Sequence, residues 1–459
     1  MYQIDFQNPI KIYFIGIGGI SMSGLAEILL TEGFQISGSD RAPSDLTHML
    51  EERGVKVFYG QREENLTADI DLVVYTAAIK SDNPELLAAK KLGIPTLTRA
   101  ELLGQMMKNY KTPVAISGTH GKTTTTSMIS QILLNADADP TLSIGGIYKP
   151  IGGNIRVGAS DIFVTEACEY TNSFLHFFPK IGIILNIEED HLDFFKDLSD
   201  IRHSFRLFAE LLPADGALII NVDIDHSEEI TDGLPCRVIT YGLSGRCDYS
   251  ASQITYDESG FPSFLLTEKD GRSREFSLHV HGDHNILNAL AAIALADFLH
   301  IPDETIAAGL LAFGGTDRRF EYKGQRNGVN IIDDYAHHPT EIRATLNAAA
   351  QYPHKRLWCV FQPHTYTRTK AFLEEFAKAL SLADEIVLAD IYAAREKDTL
   401  GISSETLQEK IRSLGHSCHY FPSFEAIENF LLKNCTKDDL LITMGAGDVV
   451  KIGENLLQK

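Results

Sequence analysis

Short apolar runs of strand length alternate with longer stretches of helical spacing along the whole 459-residue chain. In the first part the apolar runs lie at 10–15, 34–37, 71–77 and 94–97, and 23–31 is the first helix-like segment between them. Strands that alternate with helices favour βαβ units and a parallel sheet. We therefore expect an α/β fold.

The rest of the sequence repeats this alternation twice. In the middle part the strand-like runs are 113–117, 161–165, 180–186 and 217–221. A polar, turn-rich stretch at 236–280 then predicts a small β meander or insertion, and a helix is expected at 285–299. In the last part the strand-like runs are 329–333, 356–361, 385–389 and 439–443, with a helix expected at 368–380. The pattern indicates three α/β units in series.

Length and charge limit the class of protein. A chain of 459 residues exceeds a single hydrophobic core and agrees with about three domains. With 41 Lys and Arg against 62 Asp and Glu, the net charge of −21 argues against nucleic acid or an anionic membrane as the main partner. The start lacks a basic-then-apolar signal, and no apolar run approaches the about 18 residues that span a bilayer. We expect a cytoplasmic protein, monomer or homodimer.

A glycine-punctuated loop with the sequence G-T-H-G-K-T-T at 118–124 has the parts of a triphosphate cradle. Gly118 and Gly121 let backbone N–H groups converge on phosphate oxygens. Lys122 supplies a cation and Thr123 supplies a hydroxyl for Mg²⁺, while the helix that follows points its positive end at the anion. The loop is a shortened variant of the usual motif, without its first glycine. A strand-like run precedes it, as the motif requires.

Carboxylates and a histidine follow the loop in the order expected of a metal-nucleotide site. Glu166 comes directly after the apolar run at 161–165, Glu169 lies one short step beyond, and His191 follows the next run. In a parallel sheet these strand ends lie at the same edge as the phosphate loop. Mg²⁺ takes few protein ligands and leaves positions for phosphate oxygens and water. We expect Thr123, Glu166 and His191 to serve, although histidine is an unusual Mg²⁺ ligand.

Eight short segments form an ordered series over nearly the whole chain. They are GIGGISMSG at 16–24, SGTHGKTTTTS at 117–127, EACEY at 166–170, EDHLD at 189–193, GDHNILN at 282–288, GTDRRFE at 315–321, DDYAHHP at 333–339 and FQPHTYTR at 361–368. The series resembles the Mur ligase family, the ATP-dependent amino-acid-adding enzymes of peptidoglycan synthesis. The segments at 333–339 and 361–368 indicate its alanine-adding branch.

The resemblance implies an α/β fold of three domains. These are an N-terminal Rossmann-like domain that binds UDP at 1–107, a central P-loop-type ATPase domain at 108–322, and a C-terminal Rossmann-like domain at 323–459 that closes over them. It also implies a reaction in which ATP, with Mg²⁺ as cofactor, drives the joining of L-alanine to the lactyl carboxylate of UDP-N-acetylmuramate. An acyl phosphate is the expected intermediate.

Site residues follow from the same resemblance. The residues expected to contact ATP are Gly118, Thr119, His120, Gly121, Lys122, Thr123, Thr124, Asn285, Asn288, Arg318, Arg319 and Asp334. Those expected on the UDP side are Gly16, Gly18, Gly19, Ser39, Asp40, Glu169 and His191. The expected amino-acid contacts are Tyr335, His364 and Arg368. Lys122, Arg319, His337 and His364 are the expected catalytic residues, and His337 or His364 is expected to take the amine proton.

Three other functions fit parts of the sequence. Gly16 and Gly18 begin a dinucleotide fingerprint, and Asp40 falls near the distance at which ribose is often bound, but Ser21 occupies the third glycine position. These features allow an NAD-dependent enzyme. A recycling ligase that attaches a preformed peptide to the same UDP-sugar acid shares nearly every motif. A nucleotide-driven switch would use the loop only to signal its bound state.

Three positions depart from the family pattern. Several sister ligases use a carbamoylated lysine beyond the Asp-His motif, where this chain has Arg206, so we predict no carbamate and expect Arg206 to supply structure or a fixed charge. Thr365 stands where some relatives have a second arginine, so fewer arginines than in those relatives are expected to bind the carboxylate of the amino acid beside Arg368. Gln61 replaces a histidine found in many members near the UDP site.

Overall fold

The structure is a computed structural model that describes residues 2–76, 78–244, 247–394 and 396–459. The chain divides into two units. The first comprises Met1–Asp248 with Ala291–Gly309, and the second comprises Tyr249–Leu290 with Leu310–Lys459. Among the described residues, none of the helices combines the length and the apolar composition needed to cross a bilayer.

The first unit begins with a parallel five-stranded sheet. Its strands are β1 (Lys11–Ile15), β2 (Gln35–Asp40), β3 (Lys56–Tyr59), β4 (Leu72–Tyr75) and β5 (Thr96–Thr98), in the order β3-β2-β1-β4-β5. Its helices are α1 (Ile20–Thr31), α2 (Asp45–Glu52), α3 (Pro84–Leu92) and α4 (Arg99–Met107). The order reverses at β1, so the glycine turn that follows β1 lies at the point where α/β sheets bind ligands.

The apolar runs lack alternation because these strands are covered on both faces. In β1, Ile12 and Phe14 belong to one buried cluster, while Tyr13 and Ile15 belong to another on the opposite face. Central parallel strands buried in this way are read as continuous apolar runs. The predicted strand at 10–15 is therefore confirmed as β1, and the predicted strand at 71–77 is confirmed as β4 over Leu72–Tyr75, with Ala77 outside the described residues.

The central sheet of the first unit carries the phosphate loop. Its strands are β6 (Thr112–Ser117), β7 (Thr141–Tyr148), β8 (Gly153–Arg156), β9 (Ile162–Glu166), β10 (Ile181–Ile184), β11 (Ala217–Asn221) and β12 (Arg237–Gly242), in the order β12-β11-β10-β6-β9-β7-β8. Only the β7–β8 pair is antiparallel among the registers described for this sheet. Its helices are α5 (Lys122–Asn135), α6 (Leu198–Ala209) and α7 (Glu228–Thr231). Strands β9 and β10 flank β6, so their carboxyl ends border the loop.

We expect Gly104→Ala to lower the free energy of unfolding by about 1–3 kcal/mol, as overpacking does. A Cβ on Gly104 of α4 would lie 1.9 Å from the backbone oxygen of His176, so α4 and the turn at 170–176 would have to move apart. This cost exceeds the gain in helix propensity of about 1 kcal/mol. Thermal unfolding measures the effect, and Gly153→Ala is the control because its Cβ would meet nothing within 4 Å. Equal melting temperatures for the two variants would contradict the expectation.

The second unit combines an antiparallel meander with a six-stranded sheet. The meander consists of β13 (Tyr249–Tyr256), β14 (Pro262–Glu268) and β15 (Ser273–Ser277). Helices α8 (His284–Phe298) and α9 (Asp303–Ala312) each contribute residues to both units. The sheet strands are β16 (Glu321–Arg326), β17 (Val329–Asp334), β18 (Leu357–Phe361), β19 (Glu385–Leu388), β20 (Cys418–Tyr420) and β21 (Leu440–Met444), in the order β16-β17-β21-β18-β19-β20. Helices of this part are α10 (Pro339–Gln351), α11 (Tyr366–Ala371), α12 (Leu373–Leu380), α13 (Ser404–Ser413), α14 (Phe424–Asn434) and α15 (Val450–Gln458).

Two predicted elements differ from the structure. The predicted helix at 368–380 is wrong as a single helix, because Phe372 (φ −112°) leaves the helical conformation between α11 and α12. The Phe372 ring, at the junction of the two helices, packs edge-on against His338 at 4.9 Å. The meander predicted at 236–280 holds for β13 to β15, but β12 joins the parallel sheet beside β11.

Candidate active site

The phosphate loop lies between β6 and α5. Gly118 (φ +145°) and Gly121 (φ +84°) adopt conformations that residues with a Cβ rarely take, and α5 begins directly after Gly121. Asn186, after β10, holds the loop in place. Its Oδ1 accepts from the N–H of His120 at 2.8 Å, and its amide donates to the carbonyl of His120 at 3.0 Å. The Thr119 hydroxyl accepts from the backbone N–H of Glu188, two residues after Asn186, at 2.9 Å. Neighbouring strand ends therefore set the conformation of the loop.

Lys122, the first residue of α5, lies among buried oxygen atoms. Its Nζ donates to the carbonyl of Gly118 at 2.5 Å, to that of Thr119 at 3.1 Å and to Glu169 Oε2 at 3.0 Å. Burial alone would lower the pKa of Lys122, but the carboxylate of Glu169 outweighs it and the pKa is raised. The ammonium therefore stays charged and compensates Glu169, whose side chain is only 3% exposed.

Thr123 and Glu166 form an oxygen pair suited to a hard cation. The Thr123 hydroxyl donates to Glu166 Oε2 at 3.1 Å, and the Gly145 N–H donates to Oε1 at 2.5 Å. A Cβ on Gly145 would come within 2.6 Å of the carboxylate, so only glycine leaves the space beside Glu166 open. Hydroxyl and carboxylate oxygens are ligands that Mg²⁺ takes. The donors in this pair fit the predicted metal.

His191, the third predicted metal ligand, lies on the other side of Glu169. Its Nε2 is 3.9 Å from Glu169 Oε1, and its backbone adopts φ +54°. Tyr170 stacks on the imidazole with ring centroids 4.4 Å apart and donates its hydroxyl to Asp193 Oδ2 at 2.8 Å. Tyr170 was not predicted as a site residue, although its place directly after Glu169 was a signal. Glu169 thus lies between the cation Lys122 and the imidazole.

The predicted UDP-binding turn closes onto the end of β2. The N–H of Gly18 donates to Asp40 Oδ2 at 2.8 Å, and the N–H of Gly16 donates to the carbonyl of Ser39 at 2.8 Å. A Cβ on Gly18 would lie 2.9 Å from Asp40 Oδ2, so this approach requires glycine. Gly19 is the last residue before α1. The structure brings five predicted UDP-side residues together, and Asp40 holds the turn.

The Ser39 side chain forms a hydrogen bond in the protein interior. Its hydroxyl donates to Glu85 Oε2 at 2.6 Å, and Glu85 Oε1 accepts from the Tyr13 hydroxyl and from Asn65 Nδ2, each at 2.7 Å. Because Ser39 is fully buried, only its backbone can contact the substrate. The predicted contact of Ser39 on the UDP side therefore stays a prediction. The sequence carries no signal for a buried Glu85, because a single carboxylate on an amphipathic helix is usually solvated.

Arg318 and Arg319, which the sequence leaves equivalent, have different environments. Arg318 Nε donates to Asp333 Oδ2 at 2.9 Å, and its terminal nitrogens donate to the carbonyls of Gly445 and Gly447 at 2.7 and 3.1 Å. Arg319 has a looser contact, 3.9 Å from Glu341 Oε1. Arg318 therefore holds β17 to the loop after β21, and Arg319 is the better candidate for a phosphate contact.

Asp334 ends β17 with its carboxylate buried. Oδ1 accepts from the N–H of Ala336 at 2.7 Å, and Oδ2 accepts from the N–H of Phe320 at 2.8 Å. Burial raises the pKa of Asp334 to about 6, although Arg319 opposes the shift. Asp334 therefore fixes the two loops that present Arg319 and Tyr335, and its predicted contact with the ATP ribose stays a prediction.

The raised pKa of Asp334 predicts a specific pH dependence of stability. A carboxyl group whose folded pKa of about 6 exceeds its ordinary 3.8 stabilises the fold fully below pH 3.8, and this contribution is lost as the pH rises through about 6. The shift corresponds to about 3 kcal/mol. We therefore expect Asp334→Asn to be less stable than the wild type at pH 4, by a deficit that shrinks by up to about 3 kcal/mol at pH 7. Denaturant unfolding at both pH values measures this, and a deficit independent of pH would contradict it.

The predicted amino-acid contacts lie together in the second unit. The Tyr335 ring is 5.5 Å from that of His337, which is 5.7 Å from that of His364. Arg368 Nη1 lies 3.4 Å from His364 Nδ1, and Tyr392 stacks on the other side of His364 at 5.7 Å. A guanidinium can bind a carboxylate with two hydrogen bonds. The cluster therefore combines a carboxylate-binding group with two imidazoles.

Asn285 and Asn288 lie at the start of α8 and are both buried. Asn288 Nδ2 donates to Asn285 Oδ1 at 3.0 Å, and Asn285 Nδ2 donates to the carbonyl of His281 at 2.7 Å. The two amides thus act as one unit. Both side chains form hydrogen bonds at the start of α8. Their predicted contact with ATP, beside adenine, stays a prediction.

Arg206 has a structural role. Its terminal Nη1 donates to the carbonyls of Ile230 and Asp232, at 3.1 and 2.5 Å, and its Nε pairs with Glu210 at 2.8 Å. These carbonyls end α7, which Arg206 therefore fastens to α6. This agrees with the expectation that Arg206 supplies structure. A guanidinium cannot take the place of a carbamate chemically, since it is a cation.

Profiles of known protein families match the chain in three successive segments. The profile described as Mur ligase family, catalytic domain, matches residues 11–111. The Mur ligase middle domain matches 116–296, and the Mur ligase, glutamate ligase domain, matches 318–447. The phosphate loop lies in the second segment, and the cluster around His337 lies in the third.

Relatives and solved structures match over their full lengths. The UDP-N-acetylmuramate–L-alanine ligases of Agathobacter rectalis and Lachnospira eligens are each 62% identical over 459 residues, which is 100% of both chains in each comparison. The UDP-N-acetylmuramate-alanine ligase of Thermotoga maritima has a TM-score of 0.81 at 28% identity and 98% coverage of each chain. A murein peptide ligase of Psychrobacter arcticus has a TM-score of 0.72 at 26% identity and the same coverage.

The fold, the phosphate loop and the three matched segments define an ATP-dependent ligase. The chain belongs to the Mur ligase family. The predicted family and the α/β fold class are thereby confirmed. The glycine turn at 16–19 lies inside the first matched segment, so it is part of a ligase domain, and the NAD-dependent enzyme and the nucleotide switch fall away as alternatives.

Proposed function

We propose that the protein joins L-alanine to the lactyl carboxylate of UDP-N-acetylmuramate, with conversion of ATP to ADP and phosphate, in the synthesis of peptidoglycan precursors. The observation that carries this proposal is the 62% identity, over the full length of both chains, to two enzymes that bear the name UDP-N-acetylmuramate–L-alanine ligase. The site geometry supports it, since one unit holds a phosphate loop and the other a cluster suited to an amino acid. Because the proposed reaction consumes ATP, we assign the protein to the cytoplasm.

Phosphate chemistry is assigned to the first unit. We assign the β- and γ-phosphates to Lys122 and to the backbone N–H groups from Gly118 to Thr124, because these donors surround the start of α5. The Lys122 ammonium would exchange Glu169 and the loop carbonyls for phosphate oxygens. Thr123 and Glu166, with His191 as a further ligand, would hold Mg²⁺, which supplies charge neutralisation to the transferring phosphoryl group.

Nucleotide and amino-acid contacts are assigned to the second unit. Asn285 and Asn288 would face adenine, Asp334 the ribose, and Arg319 the phosphate charge. Arg368 would bind the carboxylate of alanine, beside Tyr335 and His364. The geometry that supports this is the proximity of Arg368 Nη1 to His364 Nδ1 at 3.4 Å, which places a carboxylate-binding group beside a proton acceptor.

The chemistry requires these groups because a carboxylate is a poor electrophile. An oxygen of the lactyl carboxylate attacks the γ-phosphorus, the bond to ADP breaks, and an acyl phosphate forms. The amine nitrogen of alanine then attacks the acyl carbon, loses a proton to a base, and expels phosphate with its electron pair. The first step brings two anions together, so Lys122 and Arg319 are needed to offset the charge. One of the two imidazoles, His337 or His364, accepts the proton.

The UDP end of the substrate is assigned to the glycine turn of the first sheet. Gly16, Gly18 and Gly19 leave backbone open to a diphosphate at the reversal point of the strand order, where α/β folds bind ligands. Asp40 holds this turn, since its Oδ2 accepts from the Gly18 N–H and its Oδ1 accepts from the Arg41 N–H, so it would shape the site beside the uridine.

The test is phosphate release from ATP and Mg²⁺ with UDP-N-acetylmuramate, with mass analysis of the product. We expect release that depends on L-alanine and a product with the mass of UDP-N-acetylmuramoyl-L-alanine. A product formed only with a preformed peptide in place of L-alanine would make the protein a peptide-attaching ligase; the Psychrobacter arcticus structure at TM-score 0.72 is named a murein peptide ligase. Folded protein without release coupled to either acceptor would overturn the proposal.

A further inference from the structure

Glu341 lies at the start of α10 and connects two of the predicted catalytic residues. Its Oε2 accepts from the backbone N–H groups of His337 and His338 at 3.0 and 3.2 Å, and it lies 3.2 Å from the ring Nδ1 of His337. Its Oε1 lies 3.9 Å from Arg319 Nη1. The carboxylate is only 12% exposed, so its interactions with His337 and Arg319 are weakly screened by solvent.

The surroundings of the His337 ring define its protonation. Nδ1 lies 3.1 Å from the carbonyl of Tyr335 and 3.2 Å from Glu341 Oε2, and both of these atoms can only accept. Nδ1 therefore carries a proton, and in the neutral imidazole Nε2 is the nitrogen with the lone pair. The rings of Tyr335 at 5.5 Å and His364 at 5.7 Å also lie near the imidazole. The Glu341 carboxylate places a negative charge beside this ring.

We propose that Glu341 is a positioning residue for the ligation step: it holds His337 with Nε2 free to take the amine proton, and it orients Arg319. This inference rests on the proposed function. When the amine nitrogen attacks the acyl phosphate, its N–H bond breaks and an N–H bond forms at His337 Nε2. The imidazole becomes an imidazolium, and the Glu341 carboxylate stabilises the positive charge as it develops. Of the two candidate histidines, the geometry therefore selects His337 as the proton acceptor.

Helix capping alone does not account for these contacts. Glu341 forms a capping box with His338, as Glu101 does with Thr98 at the start of α4. Glu101 Oε2 accepts from the N–H of Thr98 at 2.7 Å and from its hydroxyl at 2.8 Å. A cap needs a side-chain oxygen that accepts, which glutamine also supplies. The contacts with the His337 ring and with Arg319 are additional at Glu341 and depend on its negative charge.

Glu341→Gln and Glu101→Gln are therefore a matched pair of variants. We expect similar small changes of the melting temperature in both, because glutamine still caps each helix. We expect kcat to fall by about 10-fold or more in Glu341→Gln, with KM for ATP unchanged, because proton transfer to a positioned base contributes about 10²–10⁴-fold. Glu101→Gln is expected to keep the wild-type kcat. Glu341→Asp, which retains the charge, is expected to have an intermediate kcat.

A double-mutant cycle with His337→Ala separates positioning from stability. We expect Glu341→Gln to lower kcat by a larger factor in the wild-type background than in the His337→Ala background, where only its effect through Arg319 remains, because residues acting as a unit are not additive. A wild-type kcat in Glu341→Gln, or equal effects in the two backgrounds, would overturn the role of Glu341. A wild-type protein without alanine-dependent turnover would instead overturn the proposed function itself, and this role with it.

Discussion

Replacement of Lys122 by methionine is expected to lower kcat by about 10³-fold, because a preorganised donor to developing charge contributes about this much. The same change is expected to lower the free energy of unfolding by about 3 kcal/mol, since it leaves a buried carboxylate without its cation. That carboxylate is Glu169, whose side chain is 3% exposed and lies 3.0 Å from Lys122 Nζ. Steady-state kinetics and thermal unfolding measure the two effects.

A second variant separates these effects. Lys122→Met combined with Glu169→Gln removes the buried charge together with its partner, and neutral replacements of a buried pair are often nearly neutral for stability. We expect the double variant to regain most of the melting temperature and none of the turnover. Turnover that returned with the melting temperature would show that Lys122 acts only through folding.

Arg318→Ala is expected to act mainly on stability, and Arg319→Ala is expected to act mainly on turnover. Loss of Arg318 removes the cation beside Asp333, which is fully buried, although the Thr443 hydroxyl still donates to Asp333 Oδ1 at 2.6 Å. It also leaves the carbonyls of Gly445 and Gly447 without the guanidinium. We expect about 3 kcal/mol of destabilisation or more. Burial already raises the pKa of Asp333 despite Arg318, and loss of the arginine acts in the same direction.

Arg319→Ala is expected to lower the melting temperature less than Arg318→Ala does. Its ion pair with Glu341 is long, at 3.9 Å, and its side chain is 29% exposed, so the pair contributes about 1 kcal/mol or less. We expect kcat to fall by about 10²-fold or more, as for a donor that meets transition-state charge. Kinetics and melting temperatures of the two variants at one pH measure the contrast. A stable, active Arg318→Ala together with an unstable Arg319→Ala would reverse the assignment.

Most of the fold follows from local patterns. The apolar runs at 113–117, 217–221 and 439–443 became β6, β11 and β21 within one residue at each end. They were readable because strands buried on both faces carry continuous apolar sequence. The helix predicted at 368–380 was wrong as a single helix, because Phe372, which packs against the distant His338, has a non-helical backbone between α11 and α12. Contacts of this kind leave no periodic signal.

The candidate site residues were predicted from local motifs, since glycine, lysine and paired carboxylates at fixed spacing have few other uses in combination. The structure places the loop at 118–124 before α5 and brings Tyr335, His337 and His364 together, while the roles of these residues stay predictions. The contacts within them were not readable. No spacing rule connects Tyr170 to His191, or Glu341 to both His337 and Arg319, because these pairs depend on how loops meet.

The chain alone was enough to establish an α/β ligase of the Mur family, because strand burial, glycine turns and ordered motifs are properties of local sequence. Three-dimensional packing determines which contacts each of two identical residue types makes. Arg318 and Arg319 are adjacent and chemically identical, yet only Arg318 reaches Asp333 and the carbonyls after β21. Charge and hydrogen-bonding capacity belong to a residue type, but the partner that satisfies them is set by the elements packed around it.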